Sequence, residues 1–194
     1  MATRPHVPIT PEEYLANERT ADYRSEYFAG EVFAPAGAGR MHNRIVTNLI
    51  VAIGGRLKGR GCDVYGSDLR VKVNPPGTYT YPDLTIACGC QEFEDAREDT
   101  LLDPLAIIEV LSDSTEKYDR GVKFEPYRRI ASLREYILVA QDRPLVEQYL
   151  LQDDGRWIFT ETGGLNSVLV LSSVAMELGL SDIYDRADWM NQPG

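Results

Sequence analysis

Ala106-Ile107-Ile108-Glu109-Val110-Leu111 decides the fold of this chain. The run has too few polar residues for a strand with one wet face, and reads as a strand buried on both faces. Its one charge is conspicuous, because an ionised carboxylate inside an apolar strand is costly unless a cation, a metal or strong donors meet it. Something positive is therefore expected to face Glu109.

Working outward, the preceding strand is expected over Tyr81 to Ala87, with Asp83 directly after Pro82. If the two strands pair, the carboxylates of Asp83 and Glu109 converge on one hard cation, magnesium or manganese. Either residue alone has a plain explanation: a structural ion pair for Glu109, a turn cap for Asp83. The two together favour the metal. On the other side, Ser112-Asp113-Ser114-Thr115 offers caps for a helix over Tyr118 to Ile130. Asp119, Lys123 and Tyr127 then lie at i, i+4 and i+8 on one helix face. From there Lys123 can reach back over the strand end, to orient an attacking water or steady charge on a phosphate. Pro126 costs about 3 kcal/mol in a helix interior, so a kink or a later helix start is expected.

Further out, Thr10-Pro11-Glu12-Glu13 is a capping box with proline at the first helical position, which predicts a short helix through Tyr14 and Leu15. Tyr23 to Phe28 and Glu31 to Phe33 read as two strands turning at Ala29-Gly30. From His42 onward, Ile45, Val46, Leu49, Ile50, Ile53 and Leu57 make one apolar helix face, ended by Gly59 and Gly61. Leu69, Val71 and Val73 alternate with charges as in a half-buried strand, which Asn74-Pro75-Pro76-Gly77 breaks. Three later strands are expected over Glu135 to Ala140, Val146 to Leu151 and Trp157 to Glu161. Helices and strands interleave, which predicts a mixed α/β single domain over residues 10–186, with tails at 1–9 and 187–194.

Composition narrows the class. A chain of 194 residues with 43% hydrophobic and 26% charged residues is an ordinary globular protein. Twenty basic against thirty acidic side chains leave a net charge of −10, which argues against a simple nucleic-acid coat unless basic residues gather on one face or cations bind. No apolar run approaches the length of about 18 residues that a membrane span needs. The first residues lack the apolar core of a secretory signal, and three cysteines are an odd number for a disulfide framework, so reduced thiols and a cytoplasmic location are expected. Cys88 and Cys90 with Cys62 do not complete a four-ligand zinc site, so buried or idle cysteines are favoured. Gly37-Ala38-Gly39-Arg40 lacks the lysine and serine of a phosphate loop, and no G-x-S-x-G elbow occurs. Arg56, Lys58, Arg60, Arg128 and Arg129 are the candidates for contacts to a nucleic-acid backbone, should they cluster.

Several motifs, taken in order, resemble a known family: Tyr81-Pro82-Asp83-Leu84; Ile108-Glu109-Val110-Leu111-Ser112 with Ser114-Thr115; Asp119-Arg120-Gly121-x-Lys123-x-x-x-Tyr127; and Glu135-Tyr136-Ile137-Leu138-Val139. They are similar to the Uma-two family of restriction-type endonucleases, a branch of the PD-(D/E)XK nuclease superfamily. The likeness extends upstream to Gly30-Glu31-Val32 and to His42 at the head of its helix. It implies a restriction-endonuclease-like mixed sheet flanked by helices, with a divalent-metal site at Asp83 and Glu109 and help from Glu31. The superfamily's E-x-K signature places a lysine two residues after the glutamate; here that position is Leu111, and Lys123 matches the lysine this family carries on the following helix. His42, Asp119 and Tyr127 would line the site. The expected activity is magnesium-dependent cleavage of DNA by a homodimer. Two alternatives stay open: a catalytically inactive binding or scaffold protein on the same fold, motivated by Leu111 and the net charge, and a metal site serving another phosphate-containing substrate.

Overall fold

The computed structural model describes residues 8–34, 37–74, 77–112, 118–187 and 189. Its first half contains α1 (Pro11–Glu18), β1 (Glu26–Phe28), β2 (Glu31–Phe33), α2 (Arg40–Leu57), β3 (Cys62–Gly66), β4 (Arg70–Val73), β5 (Thr78–Thr80) and β6 (Leu84–Cys88). After these come β7 (Thr100–Leu101), β8 (Ala106–Leu111), a π-helical turn (Tyr118–Lys123), α3 (Phe124–Tyr127), β9 (Glu135–Ala140), β10 (Leu145–Leu151) and β11 (Trp157–Gly163). The chain closes with β12 (Val168–Leu171), a 3-10 turn (Ser172–Val174), β13 (Met176–Gly179) and α4 (Leu180–Ile183). Among the described residues, no helix is long and apolar enough to cross a membrane.

The run that decides the fold lies inside a six-stranded sheet of order β11-β10-β9-β8-β6-β3, where β8 pairs antiparallel with β6 and parallel with β9. All six residues of β8 are buried. Side-chain alternation sends Ile108 and Val110, with Ile137 and Val139 of β9, to one face, where they meet Ile45, Leu49, Ile53 and Leu57 of α2. These α2 residues recur every fourth position, so one stripe of the helix is dry. Each such side chain contributes about 1.5–3 kcal/mol by burial. That outweighs a cap of about 1 kcal/mol, which α2 in any case lacks, since its N-cap is Gly39. The β12–β13 hairpin and α4 cover the same face through Leu169, Leu171, Leu178 and Leu180.

The opposite face carries Ile107, Leu111, Tyr136 and Leu138, packed on Val71 and Val73 of β4 and on Tyr127. Here a second sheet of order β2-β1-β5-β4-β7 covers the first. Its outer hairpin turns at Ala29 and Gly30 with φ of 49° and 93°, the two successive positive values that a tight hairpin requires. Only glycine fits the second position, since a Cβ there would stand 2.4 Å from the Cβ of Pro8. Behind the hairpin, Tyr14 of α1 stacks on Tyr27 and Tyr79 with ring centroids 5.1 and 5.2 Å apart.

Several expectations need correction. The strand foreseen over residues 81–87 is β6, which starts only at Leu84 and joins the first sheet, while β5 just before it joins the second. The helix foreseen over residues 118–130 is a π-helical turn followed by α3; of its expected caps at 112–115, positions 113–115 lie outside the described residues. Pro126 sits in the first turn of α3, where a backbone N–H has no intrahelical acceptor to lose. Cys62 and Cys88 are not idle. They oppose each other on β3 and β6 and form a disulfide, leaving Cys90 free and exposed. Packing also extends past residues 10–186: the Ile9 N–H bonds the carbonyl of Gly30, Ala187 is fully buried, and Trp189 donates to the carbonyl of Gln141.

Burial pushes the phenols of Tyr79 and Tyr81 up to about 12. Between the free phenol value of about 10 and that range the folded state keeps protons that the unfolded chain has lost. This stability is therefore complete below pH about 10 and is lost as pH rises through 12. The urea midpoint should fall across this window, and Tyr79→Phe should make the fall shallower. An unchanged slope in the variant would remove Tyr79 from the account.

Candidate active site

Asp83 and Glu109 are brought together by strand register. Leu84 opposes Ile108 in the antiparallel β6–β8 pair, so the residue before β6 lies beside the one after Ile108. Each carboxylate is then held by the other strand's backbone. The Val110 N–H donates to Asp83 Oδ2 at 2.7 Å, and the Asp83 N–H donates to Glu109 Oε2 at 3.2 Å. From the head of α2, His42 places Nε2 at 3.0 Å from the same Asp83 Oδ2. Its Nδ1 is buried and meets no partner among the described residues.

Alternation along β8 turns Glu109 towards the second sheet, where Lys123 closes over it from the π-helical turn. The ammonium lies 3.1 Å from Glu109 Oε1, 3.1 Å from Glu26 Oε1 and 3.5 Å from Asp119 Oδ1. The hydroxyl of Tyr127 lies 2.9 Å from Thr80 Oγ1 and 3.2 Å from Glu109 Oε1, fixing that carboxylate from a third side. Asp119, Lys123 and Tyr127 thus gather as their spacing predicted, although the first two sit on a π-helical rather than an α-helical turn.

Glu31 is not in this group. It is exposed on β2, the outermost strand of its sheet, opposite Phe28. Glu26, at the start of β1, occupies the place expected for it and was not foreseen. It is positioned from behind: both oxygens of Glu18 accept bonds from Ser25, and the Tyr14 hydroxyl donates to the Ser25 carbonyl. Glu26 itself accepts from the backbone N–H of Tyr81 at 3.1 Å. Each of these bonds spans a distance in the chain that no local pattern encodes. Four of the five basic residues named from the sequence have partners away from the site. Arg56 pairs with Asp182, Arg60 donates to the Val174 carbonyl, Arg128 lies over Phe124, and Arg129 pairs with Glu125.

Charge is the distinctive property of the site. Three carboxylates, Glu26, Glu109 and Asp119, surround one lysine and are at most 5% exposed, and a fourth, Asp83, stands beside Glu109. One close ion pair contributes on the order of 4 kcal/mol at an effective dielectric of about 20, while each buried ion forfeits several kcal/mol of hydration. A single ammonium cannot offset so many acids. Burial accordingly holds the Glu109 carboxyl well above the ordinary range, although Lys123 pulls it down. Burial works against the Lys123 charge, but Glu109, Glu26 and Asp119 outweigh it and hold that amine well above its usual value. Among the described residues, no three His, Cys, Asp or Glu side chains form a ready-made metal cage. Magnesium does not demand one, since it keeps several waters and binds through one or two carboxylates. Two converging acids and a surplus of negative charge fit such an ion.

Removing the ammonium should expose this imbalance. Lys123→Met is expected to lose about 3–5 kcal/mol at neutral pH, because it strands buried carboxylates. With the counter-ion gone, those carboxyls take up protons more readily in the folded state than in the unfolded one, so the deficit should narrow as pH falls towards about 5. Urea unfolding at the two pH values checks this; equal losses at both would contradict it.

Comparison with known proteins places the chain. The family described as "Uma2: Putative restriction endonuclease" matches residues 11–181. Uncharacterized protein slr1290 of Synechocystis sp. is 32% identical over 180 residues, covering 93% of both chains. Uncharacterized protein sll1609 of the same organism is 34% identical over 164 residues, covering 84% of this chain and 93% of its own. Among solved structures, a "putative nuclease belonging to DUF820" from Anabaena variabilis superposes with a TM-score of 0.76 at 17% identity, covering 91% of this chain and 98% of that one. The matched span contains Asp83, Glu109, Lys123 and every element that positions them, and on that ground the chain belongs to the Uma2 family.

Proposed function

We propose that the protein is an endonuclease that hydrolyses phosphodiester bonds, in DNA, with magnesium or manganese held by Asp83 and Glu109. One observation carries the reading: two carboxylates from neighbouring strands converge beside a lysine, in a cluster whose acids outnumber its cations. When bound, a divalent ion there polarises a phosphoryl oxygen and acidifies a coordinated water. It also lowers the local negative charge, which lets a chain of net charge −10 accept a phosphate at this place.

The chain's own residues do the rest. Asp83 and Glu109 bind, and the backbone bonds between their strands keep the carboxylates in step. Lys123 orients the nucleophile or donates to a non-bridging phosphate oxygen as charge builds there. Glu26 and Asp119 keep its amine protonated, so it acts as a fixed cation rather than a base. Tyr127 holds the orientation of Glu109, and His42 that of Asp83. Lys123 also supplies a cation that Leu111 cannot, since it approaches Glu109 from the element following the strand. A homodimer belongs to the same reading on the strength of the family alone. Sedimentation velocity should give about twice the 21.8 kDa chain mass, and a monomer at micromolar concentration would remove that part.

One observation favours the inactive alternative: Glu109 is only 3% exposed. The same variant separates the two readings. Glu109→Ala should abolish magnesium-dependent cleavage of plasmid DNA while the protein stays folded, because Lys123 keeps Glu26 and Asp119 as partners. Calorimetry should show manganese bound by the native chain and not by the variant. Cleavage retained by the folded variant would defeat the assignment, and RNA and nucleotides assayed alongside DNA identify the substrate.

A further inference from the structure

β11 ends the six-stranded sheet, and among the described residues β10 is the only strand that pairs with it. Two bonds flanking the β10–β11 ladder set its phase: the Gln152 N–H donates to the Arg156 carbonyl, and the Gly164 N–H to the Pro144 carbonyl. In an antiparallel pair, hydrogen-bonded and non-hydrogen-bonded positions alternate. Ile158, Thr160 and Thr162 therefore bond β10, whereas Trp157, Phe159, Glu161 and Gly163 turn their backbone N–H and C=O groups outward. The Gly163 carbonyl accepts the Ser167 hydroxyl. Among the described residues, no bond from another element occupies the outward groups of Trp157, Phe159 and Glu161.

Such an edge is a template for another chain, and proteins blunt it with short strands, lysine, proline or bulges. The other sheet edges here are short, with five residues in β3, three in β2 and two in β7. β11 has seven residues in unbroken register, one charge, and neither lysine nor proline. Apolar side chains stay uncovered on both of its faces. Phe159 is 47% exposed on the face it shares with Tyr149. Ile158 is 44% exposed on the other face, where Thr160 bonds Gln148.

We propose that β11 pairs antiparallel with β11 of a second copy of this chain, across a two-fold axis at Thr160, joining two six-stranded sheets into one. The sequence is self-complementary in that register. Trp157 lies opposite the partner's Gly163, so its ring covers a position without a side chain. Ile158 opposes the partner's Thr162 and Thr160 the partner's Thr160, β-branched pairs suited to a pleated surface. Phe159 opposes the partner's Glu161, so the one charge never meets its own copy. Outward backbone groups meet outward backbone groups at each of these odd-numbered positions. A register centred on Glu161 would oppose like charges, and one centred on Phe159 would leave Thr162 and Gly163 unpaired. Backbone groups alone would accept any strand; the side-chain match singles out a second copy. The inference rests on the homodimer included in the reading above.

Glu161→Pro removes an outward N–H and no bond to β10, so the variant should keep its fold. At micromolar concentration, sedimentation velocity should show the native chain as a dimer and this variant as a monomer. The two copies of position 160 form a non-hydrogen-bonded pair with Cα atoms about 4.5 Å apart, within reach of a disulfide. Cys62 and Cys88 are bridged across paired strands in the same way. Ile158, opposite the partner's Thr162, stands about 14 Å from its own copy. In a Cys90→Ser background, Thr160→Cys should therefore cross-link under diamide at least about tenfold faster than Ile158→Cys. Equal rates would overturn the pairing. A native dimer that Glu161→Pro leaves intact would also overturn it, while the homodimer stands on another surface. A native monomer would sink this inference and the homodimer together. None of these results touches the endonuclease reading, which cleavage decides.

Discussion

An ammonium held among three buried carboxylates is the contact on which the rest of the molecule is arranged. Glu109 comes from the middle of the six-stranded sheet, Glu26 from the second sheet, and Asp119 with Lys123 from the crossover between the parallel strands β8 and β9. No two of these layers can separate without leaving a charge in an apolar interior. The hydrophobic clusters on the two faces of the sheet provide most of the binding force between layers, but they are non-directional. The ion cluster fixes which side chains meet and in what orientation.

Parts of the fold were legible because they are encoded locally. The capping box at Thr10, the four-residue stripe of α2, the apolar run of β8 and the hairpin at Ala29-Gly30 each occupy a short window, and each is present. The convergence of Asp83 and Glu109 needed one further assumption, that consecutive buried strands pair, and β6 and β8 do so. The partition of the strands into two sheets was not legible. Val71 and Val73 alternate as a half-buried strand does, yet alternation does not say which sheet the strand joins.

What escaped the sequence reading is held by long-range contacts. Glu26 differs from Glu31 in nothing that a window of residues reveals; a tight turn separates them and sends one inward and the other to the rim. The disulfide between Cys62 and Cys88 depends on β3 and β6 being neighbours in register, which an odd cysteine count does not disclose. The bond from Arg44 to the Arg186 carbonyl likewise joins the first turns of α2 to a segment about 140 positions later. Spacing rules see one face of one element, whereas each of these features lies between elements.

The reciprocal backbone bonds at Asp83 and Glu109 tie the chemistry of the site to the alignment of two strands. Were β8 to slide by one residue against β6, each acid would lose the peptide N–H that holds it, and Glu109 would swing into the hydrocarbon layer beneath α2. Misalignment would therefore be self-penalising, since the wrong pairing buries a bare charge in grease. The carboxylate at the centre of the candidate site thus acts as a proofreader of how the sheet is assembled.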